Sequence, residues 1–121
     1  MSTGTGLSLE MITVDCTDPQ RLALWWAEAV GGSVVNLSGE DFVLVAREGW
    51  PGLGFQRVEA PAPGKNRVHL DLMASDLDAE VDRLVSLGAN ETGRHSFDGG
   101  FRWVVLADPD GNAFCVAAPR P

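Results

Sequence analysis

The sequence predicts an α+β protein of two β-α-β-β-β modules, with eight strands and two helices in 121 residues. A strand that leads through an aspartate into an amphipathic helix occurs twice, at residues 11–18 and 69–76, offset by 58 positions. Glycine follows each predicted helix, and short β runs separated by turn residues come next. Neither module can bury its sheet face alone, so we predict one domain over residues 1–121.

The first module is predicted over about residues 7–60. Its opening strand covers residues 7–15, which include a β-branched run. Asp18 can cap a helix and Pro19 suits the first helical position, so we predict a helix that ends at about Val30, before two glycines. Apolar residues at spacings of three and four form its core-facing stripe: Leu22, Trp25, Trp26 and Ala29. Three short strands follow, at residues 33–37, 41–47 and 53–58.

The second module is predicted over about residues 67–119. A connector at residues 59–66, with two prolines and a glycine, precedes it. Asp76 can cap a helix that ends at about Leu87. The buried face of this helix is predicted to carry Leu77, Val81, Leu84 and Val85. Strands are predicted at residues 67–74, 89–95, 101–107 and 112–118, with a tight turn at residues 108–111.

The strand at residues 67–74 carries the clearest chemical signal. One alternating set, Val68, Leu70 and Leu72, can face a core. The opposite set contains His69, Asp71 and Met73. A purely structural strand needs neither an imidazole nor a carboxylate there, so this face is a candidate ligand site.

Composition excludes several classes of partner. The formal net charge is −8, and the nine Lys and Arg residues form no basic run, which argues against nucleic acid and anionic membranes. We find no apolar stretch of bilayer length and no secretion signal, so a cytoplasmic location is expected. The two cysteines are predicted to be reduced thiols: Cys16 in a solvated loop, and Cys115 as a small buried residue.

Several motifs together resemble the vicinal oxygen chelate superfamily of glyoxalase I, bleomycin-resistance proteins and extradiol dioxygenases. They are D-P-x-x-L-A-x-W-W at residues 18–26, H-x-D-L-x-x-x-D at 69–76 and D-P-D-G-N-x-F at 108–114. The nearest branch is the small glyoxalase-like domain. The resemblance implies strongly bent mixed sheets of eight strands around a cavity, and a homodimer.

The resemblance also implies four metal-ligand positions. They fall on Met11, on or near Gln56, on His69 and on Cys115. Only His69 is a usual ligand for a hard or borderline metal, so we predict no metal and no cofactor. A soft ion such as Cu(I) or Zn(II) on His69 and Cys115 stays an alternative.

The predicted ligand-binding residues combine aromatic and polar side chains: Met11, Trp50, Gln56, His69, Asp71, Phe101, Trp103 and Cys115. His69 has two interpretations, a hydrogen-bonded wall residue or an acid–base group with Asp71 as partner. Trp103 suits either the pocket or the core, and Trp50 either the pocket rim or a dimer contact. His95 is expected to be exposed and without a role.

Two functions from different classes remain open. The first is a metal-free protein that binds a planar or aromatic small molecule, as in antibiotic sequestration. The alternative is a glyoxalase-type lyase or isomerase that acts on a small oxygenated substrate through His69, with or without a divalent metal. A module with a vestigial cavity that binds a protein partner is a third, less informative hypothesis.

Overall fold

The computed structural model describes Gly6 and residues 8–97 and 99–119. The chain divides into two compact units, Met1–Pro61 and Ala62–Pro121, and the division falls inside the predicted connector. Within these described residues, each unit contains one helix and four strands. The predicted α+β class with two β-α-β-β-β modules is therefore confirmed. The grouping of both modules into one domain stays a prediction.

The first unit contains β1 (Met11–Cys16), α1 (Pro19–Val30), β2 (Ser33–Ser38), β3 (Phe42–Ala46) and β4 (Gly52–Arg57). Its four-stranded sheet has the order β1-β4-β3-β2. β1 runs parallel to β4, and the other pairs are antiparallel, so the sheet is mixed. The first strand begins later than predicted, because Met11 opposite Gly52 is the first pair of the ladder; residue 7 lies outside the described residues.

The second unit contains β5 (Leu70–Met73), α2 (Leu77–Ser86), β6 (Asn90–Ser96), β7 (Arg102–Ala107) and β8 (Ala113–Ala117). Its sheet has the order β5-β8-β7-β6, with β5 parallel to β8. The remaining pairs are antiparallel. The second unit therefore repeats the strand order of the first, as the internal repeat predicted. The eight strands form two four-stranded sheets, one in each unit.

Both helices begin at the aspartates that the sequence indicated. Asp18 accepts a hydrogen bond from the Arg21 backbone N–H at 3.2 Å, and Asp76 accepts one from Ala79 at 3.1 Å. Each carboxylate satisfies an N–H group that has no partner within the helix. Gly31 ends α1 with φ of 74°, a left-handed conformation that favours glycine.

Each core lies between the helix and one face of the sheet in the same unit. In the first unit the buried side chains are Leu22, Ala23, Trp26 and Ala29 of α1 and Val43, Val45, Leu53 and Phe55 of the sheet. In the second they are Leu77, Val81 and Leu84 of α2 and Val104, Leu106, Phe114 and Val116. Strand residues between these positions point to the opposite face, where ligands can reach them.

The predicted solvent exposure was wrong for three residues. Val68 is 74 % exposed because β5 begins only at Leu70, so residue 68 precedes the ladder. Val85 lies on the outer side of α2 and is 45 % exposed. Cys16 is buried rather than solvated, because it closes β1 with its Sγ 3.7 Å from the backbone oxygen of Gln56.

In the part of the chain that the structure describes, neither helix has the length and apolar character needed to cross a bilayer.

Candidate functional site

A pocket of about 400 Å³ opens on the second unit. Its strand residues alternate with core residues: Trp103 precedes buried Val104, and Cys115 lies between buried Phe114 and Val116. The pocket therefore uses mainly the sheet face that α2 does not cover. Its lining divides into an aromatic wall (Phe97, Phe101 and Trp103), a polar corner (His69, Asp71 and Cys115) and an aliphatic part (Leu72, Met73, Ala117 and Ala118).

The aromatic wall is a set of mutually packed rings. The ring centroids of Phe97 and Trp103 lie 4.8 Å apart, and those of Phe101 and Trp103 lie 5.9 Å apart. Phe97 and Phe101 come together because the Phe97 N–H donates to the Phe101 carbonyl at 2.9 Å across a short loop. Phe97 is nevertheless 62 % exposed, so much of this wall faces the solvent. Such a surface suits a flat apolar ring system.

The polar corner centres on the Asp71 carboxylate. The His69 Nε2 lies 3.4 Å from Asp71 Oδ1. Cys115 stands directly opposite Asp71 in the parallel ladder between β5 and β8, and its Sγ lies within 4.8 Å of an Asp71 carboxylate oxygen. Asp71 therefore has an imidazole on one side and a thiol on the other. These three residues place one nitrogen, one oxygen and one sulfur donor within 4.8 Å of one another.

Asn66 holds the segment that carries His69. This segment precedes β5, so it lacks ladder hydrogen bonds of its own. The Asn66 side chain accepts from the Ala113 N–H at 2.8 Å and donates to the Ala113 carbonyl at 3.1 Å. It also donates to the Val68 carbonyl at 2.6 Å. The Asn66 amide thus replaces one further pair of backbone hydrogen bonds beside β8, and it holds in place the segment that leads to His69.

The Cys115 thiol is held in its protonated form. Its pKa is raised, first by burial and then by the negative charge of Asp71 and the hydrogen bond to it. Lys65 acts in the opposite direction but more weakly. A thiolate is the nucleophilic form of cysteine, so this environment disfavours Cys115 as a nucleophile near neutral pH.

The polar corner offers three donors for the divalent metal that the fold family implies. A borderline ion such as zinc accepts nitrogen, oxygen and sulfur ligands, and catalytic zinc sites use three protein ligands. The set in the second unit fits such an ion once the Cys115 thiol loses its proton, and the raised pKa of that thiol opposes this step. For a hard ion, which does not favour thiolate, the cluster provides only two ligands, one imidazole and one carboxylate.

Strand register identifies the residue of the first unit that is equivalent to Cys115. Thr13 pairs with Gly54 as Asp71 pairs with Cys115. The counterpart of Cys115 is therefore Gly54, which lies two residues before Gln56 on β4. Each of these two positions lies between two buried apolar residues. They are Leu53 and Phe55 around Gly54, and Phe114 and Val116 around Cys115. The sequence therefore shows the same alternating pattern at both positions.

Gly54 has a packing reason to lack a side chain. A Cβ atom there would lie 2.8 Å from the Met11 Sδ and 2.9 Å from the Phe42 ring, so any other residue displaces one of them. This part of the first unit is thus filled by a thioether and an aromatic ring. It provides no carboxylate or imidazole at the position equivalent to Cys115.

The predicted residues divide between the two units. His69, Asp71, Phe101, Trp103 and Cys115 line one pocket of the second unit. Met11, Trp50 and Gln56 belong to the first unit. There, the Arg47 guanidinium lies 4.1 Å from the centroid of the Trp50 ring, and the tryptophan is 38 % exposed.

Sequence reasoning missed Phe97, Asn66 and a contact of His95. Phe97 follows β6 and faces Phe101 across the loop, and Asn66 lay in the predicted connector. His95 is exposed, as expected, but its ring stacks on Trp103 with centroids 5.1 Å apart and an interplanar angle of 27°. The pairing of His95 with Trp103 on adjacent strands explains this contact. A prediction of the register between β6 and β7 would have identified the contact between His95 and Trp103.

A family model described as the glyoxalase-like domain matches residues 11–117 of the chain. The chain therefore belongs to this family, as its motifs indicated. No curated protein matches it in sequence.

Solved structures share the fold over nearly the whole chain. A glyoxalase/bleomycin resistance protein/dioxygenase family enzyme from Burkholderia phytofirmans PsJN has a TM-score of 0.80 at 16 % identity, covering 93 % of this chain and 98 % of that one. TnmS3, an antibiotic binding protein from Streptomyces sp. CB03234, has a TM-score of 0.73 at 24 % identity, covering 97 % and 100 %. Lactoylglutathione lyase from Agrobacterium tumefaciens has a TM-score of 0.69 at 17 % identity, covering 92 % of each chain. At these identities the likeness establishes the fold.

Proposed function

We propose that the protein binds a planar aromatic small molecule, without a metal, in the pocket of the second unit. The observation that carries this proposal is the aromatic wall of Phe97, Phe101 and Trp103 beside the polar corner. Flat ligands gain contact area and ring–ring interactions on such a wall, and a few polar groups then fix their orientation. An antibiotic-binding protein among the structural neighbours agrees with this role.

The polar corner presents groups that can orient a ligand. The Asp71 side chain is 73 % exposed beside His69. The raised pKa of Cys115 keeps its thiol protonated near neutral pH. A ligand can therefore meet a neutral thiol, an imidazole and a carboxylate.

Calorimetric titration with a panel of aromatic antibiotics, flavins and quinones tests the proposal. Replacement of Trp103 by Leu removes the central ring of the wall, and we expect the affinity for a bound panel member to fall about tenfold. Val85→Ala is the control, because Val85 lies on the outer side of α2 and does not line the pocket, so that affinity should stay unchanged. If no compound binds, or if Trp103→Leu binds as well as the wild type, the proposal is wrong.

A second candidate is a lyase or isomerase of the glyoxalase type. The cluster of His69, Asp71 and Cys115 favours it, since three donors within 4.8 Å can hold a borderline ion. Such an ion would act as a Lewis acid on a substrate oxygen.

Metal analysis of the protein purified without added metal separates the two candidates. We expect no stoichiometric ion, and no lactoylglutathione from methylglyoxal and glutathione in the presence of zinc or nickel. A stoichiometric ion that His69→Ala removes would instead support the enzyme.

We also propose a homodimer in the cytoplasm, in line with the family resemblance. Light scattering of the purified protein measures its oligomeric state, and a monomer would contradict the proposed homodimer.

A further inference from the structure

We infer that the ligand of this pocket is a planar aromatic cation rather than an anion. The inference rests on the proposed function and adds the charge class of the ligand. It comes from the charges that line the pocket and from the rings beside them.

With histidine counted as neutral, the described residues that line the pocket carry one formal charge, and that charge is negative. Among the described residues that line it, Asp71 is the only acidic side chain, and none is a lysine or an arginine. The Asp71 side chain is 73 % exposed, so its carboxylate is open to a bound molecule. An anionic ligand would find no permanent positive charge on the wall and would approach a carboxylate.

The cations outside the pocket do not change this balance. The guanidinium of Arg94 lies 2.6 Å from Glu91 and 3.4 Å from Asp78, and that of Arg102 lies 3.6 Å from Asp78. These arginines near the aromatic wall are therefore already paired with carboxylates. Lys65 acts on the Cys115 thiol in the opposite direction, and its influence is weaker than that of Asp71.

The aromatic wall favours the same charge class. The faces of Trp and Phe rings carry a partial negative charge, so they attract a cation that lies over them. A flat cation on Trp103 and Phe97 can therefore gain ring contact and attraction to Asp71 together. An uncharged ring gains only the first of these, and an anion meets repulsion from both surfaces.

Three planar three-ring probes separate these cases: proflavine, a cation; acridone, which is neutral; and anthracene-2-sulfonate, an anion. We expect calorimetry at low salt to give proflavine about tenfold higher affinity than acridone, with the sulfonate weakest. Raising the salt from about 0.05 M to about 0.5 M should weaken proflavine and leave acridone unchanged, because salt screens exposed charges.

Asp71→Asn tests the residue that carries the inference. The affinity for proflavine should fall about three- to fivefold, while that for acridone stays the same. Asp82→Asn is the matched control, because it changes the net charge equally on the exposed side of α2 and does not line the pocket. It should leave both affinities unchanged.

The outcomes distinguish the inference from the proposed function. If none of the three probes binds, the binding function itself fails, and the charge class falls with it. If acridone or the sulfonate binds as tightly as proflavine, the pocket binds planar molecules but the charge class is wrong. Equal losses in Asp71→Asn and Asp82→Asn would trace the preference to net charge rather than to this site, and would also overturn it.

Discussion

Asp71 links the polar side chains of the pocket. One of its carboxylate oxygens lies 3.4 Å from the His69 Nε2, and the charge of Asp71 helps to raise the pKa of the Cys115 thiol. Its removal therefore affects both neighbours, whereas removal of His69 leaves the contact between Asp71 and Cys115. His69 itself is half-exposed, which agrees with a wall residue that a ligand can contact.

The reactivity of Cys115 is the first consequence at this scale. Burial and Asp71 raise the pKa of the thiol, so the thiolate fraction near pH 8 is below that of an ordinary exposed cysteine. Asp71→Asn removes the charge and alters the hydrogen bond, so the pKa should fall and alkylation by iodoacetamide at about pH 8 should become severalfold faster.

Mass spectrometry of the Cys115 peptide across about pH 7 to pH 9.5 measures this rate. Lys65→Ala should have the opposite effect and slow the reaction, because Lys65 lowers the pKa of the thiol. An unchanged or slower rate in Asp71→Asn would contradict the assigned cause.

At the scale of elements, the approach to β5 depends on a side-chain amide. Asn66 bonds both backbone groups of Ala113 and so extends the parallel arrangement ahead of the first ladder pair, Leu70 with Phe114. His69 lies between these two anchors. Its position is thus determined by a residue outside the pocket.

Asn66→Ala should destabilise the second unit and loosen His69. The N–H and carbonyl of Ala113 lose their side-chain partners, and we expect a cost of about 1–2 kcal/mol in the free energy of unfolding by urea. Hydrogen exchange at the Ala113 amide should also become faster. Asn36→Ala, at an exposed position of β2, is the control and should cost under about 0.5 kcal/mol. A loss no larger than that of the control would show that water replaces the amide without cost.

Elements with local signals could be predicted from the sequence. Both helix starts follow from an aspartate cap, and the α1 bounds follow from Pro19 and the two glycines. The start of β5 could not be predicted, because Val68 fits a strand pattern but the ladder begins at Leu70. Pairing between distant segments decides such limits, and a single strand pattern carries no information about its partner.

The same distinction holds for the site. His69, Asp71 and Trp103 stood out by residue type and alternation. Phe97 did not, because its place depends on the turn that returns the chain to Phe101. The residue equivalent to Cys115 could not be identified from the repeat alone, because the first strands of the two modules are offset by 58 residues, whereas the last strands, from Gly54 to Cys115, are offset by 61.

For the whole molecule, the two units share a strand order but differ in what they place on the sheet. The second unit carries the polar corner and the aromatic wall. The first places Met11 and Phe42 beside a glycine at the equivalent position. A common backbone plan therefore supports a titratable cluster around Cys115 in one unit and apolar packing around Gly54 in the other. The molecule as a whole is also negative, with a net charge of −8, so its overall charge has the same sign as Asp71.

The hydrogen bond between Phe97 and Phe101 has a consequence for how this pocket can change. The two rings stand at the ends of a five-residue loop, and β6 and β7 pair below it, from Ser96 and Arg102 onward. An insertion or deletion in that loop would alter the spacing of the rings and leave the strand ladder in place. Loop length would therefore set the width of the pocket between these two rings, independently of the strand ladder.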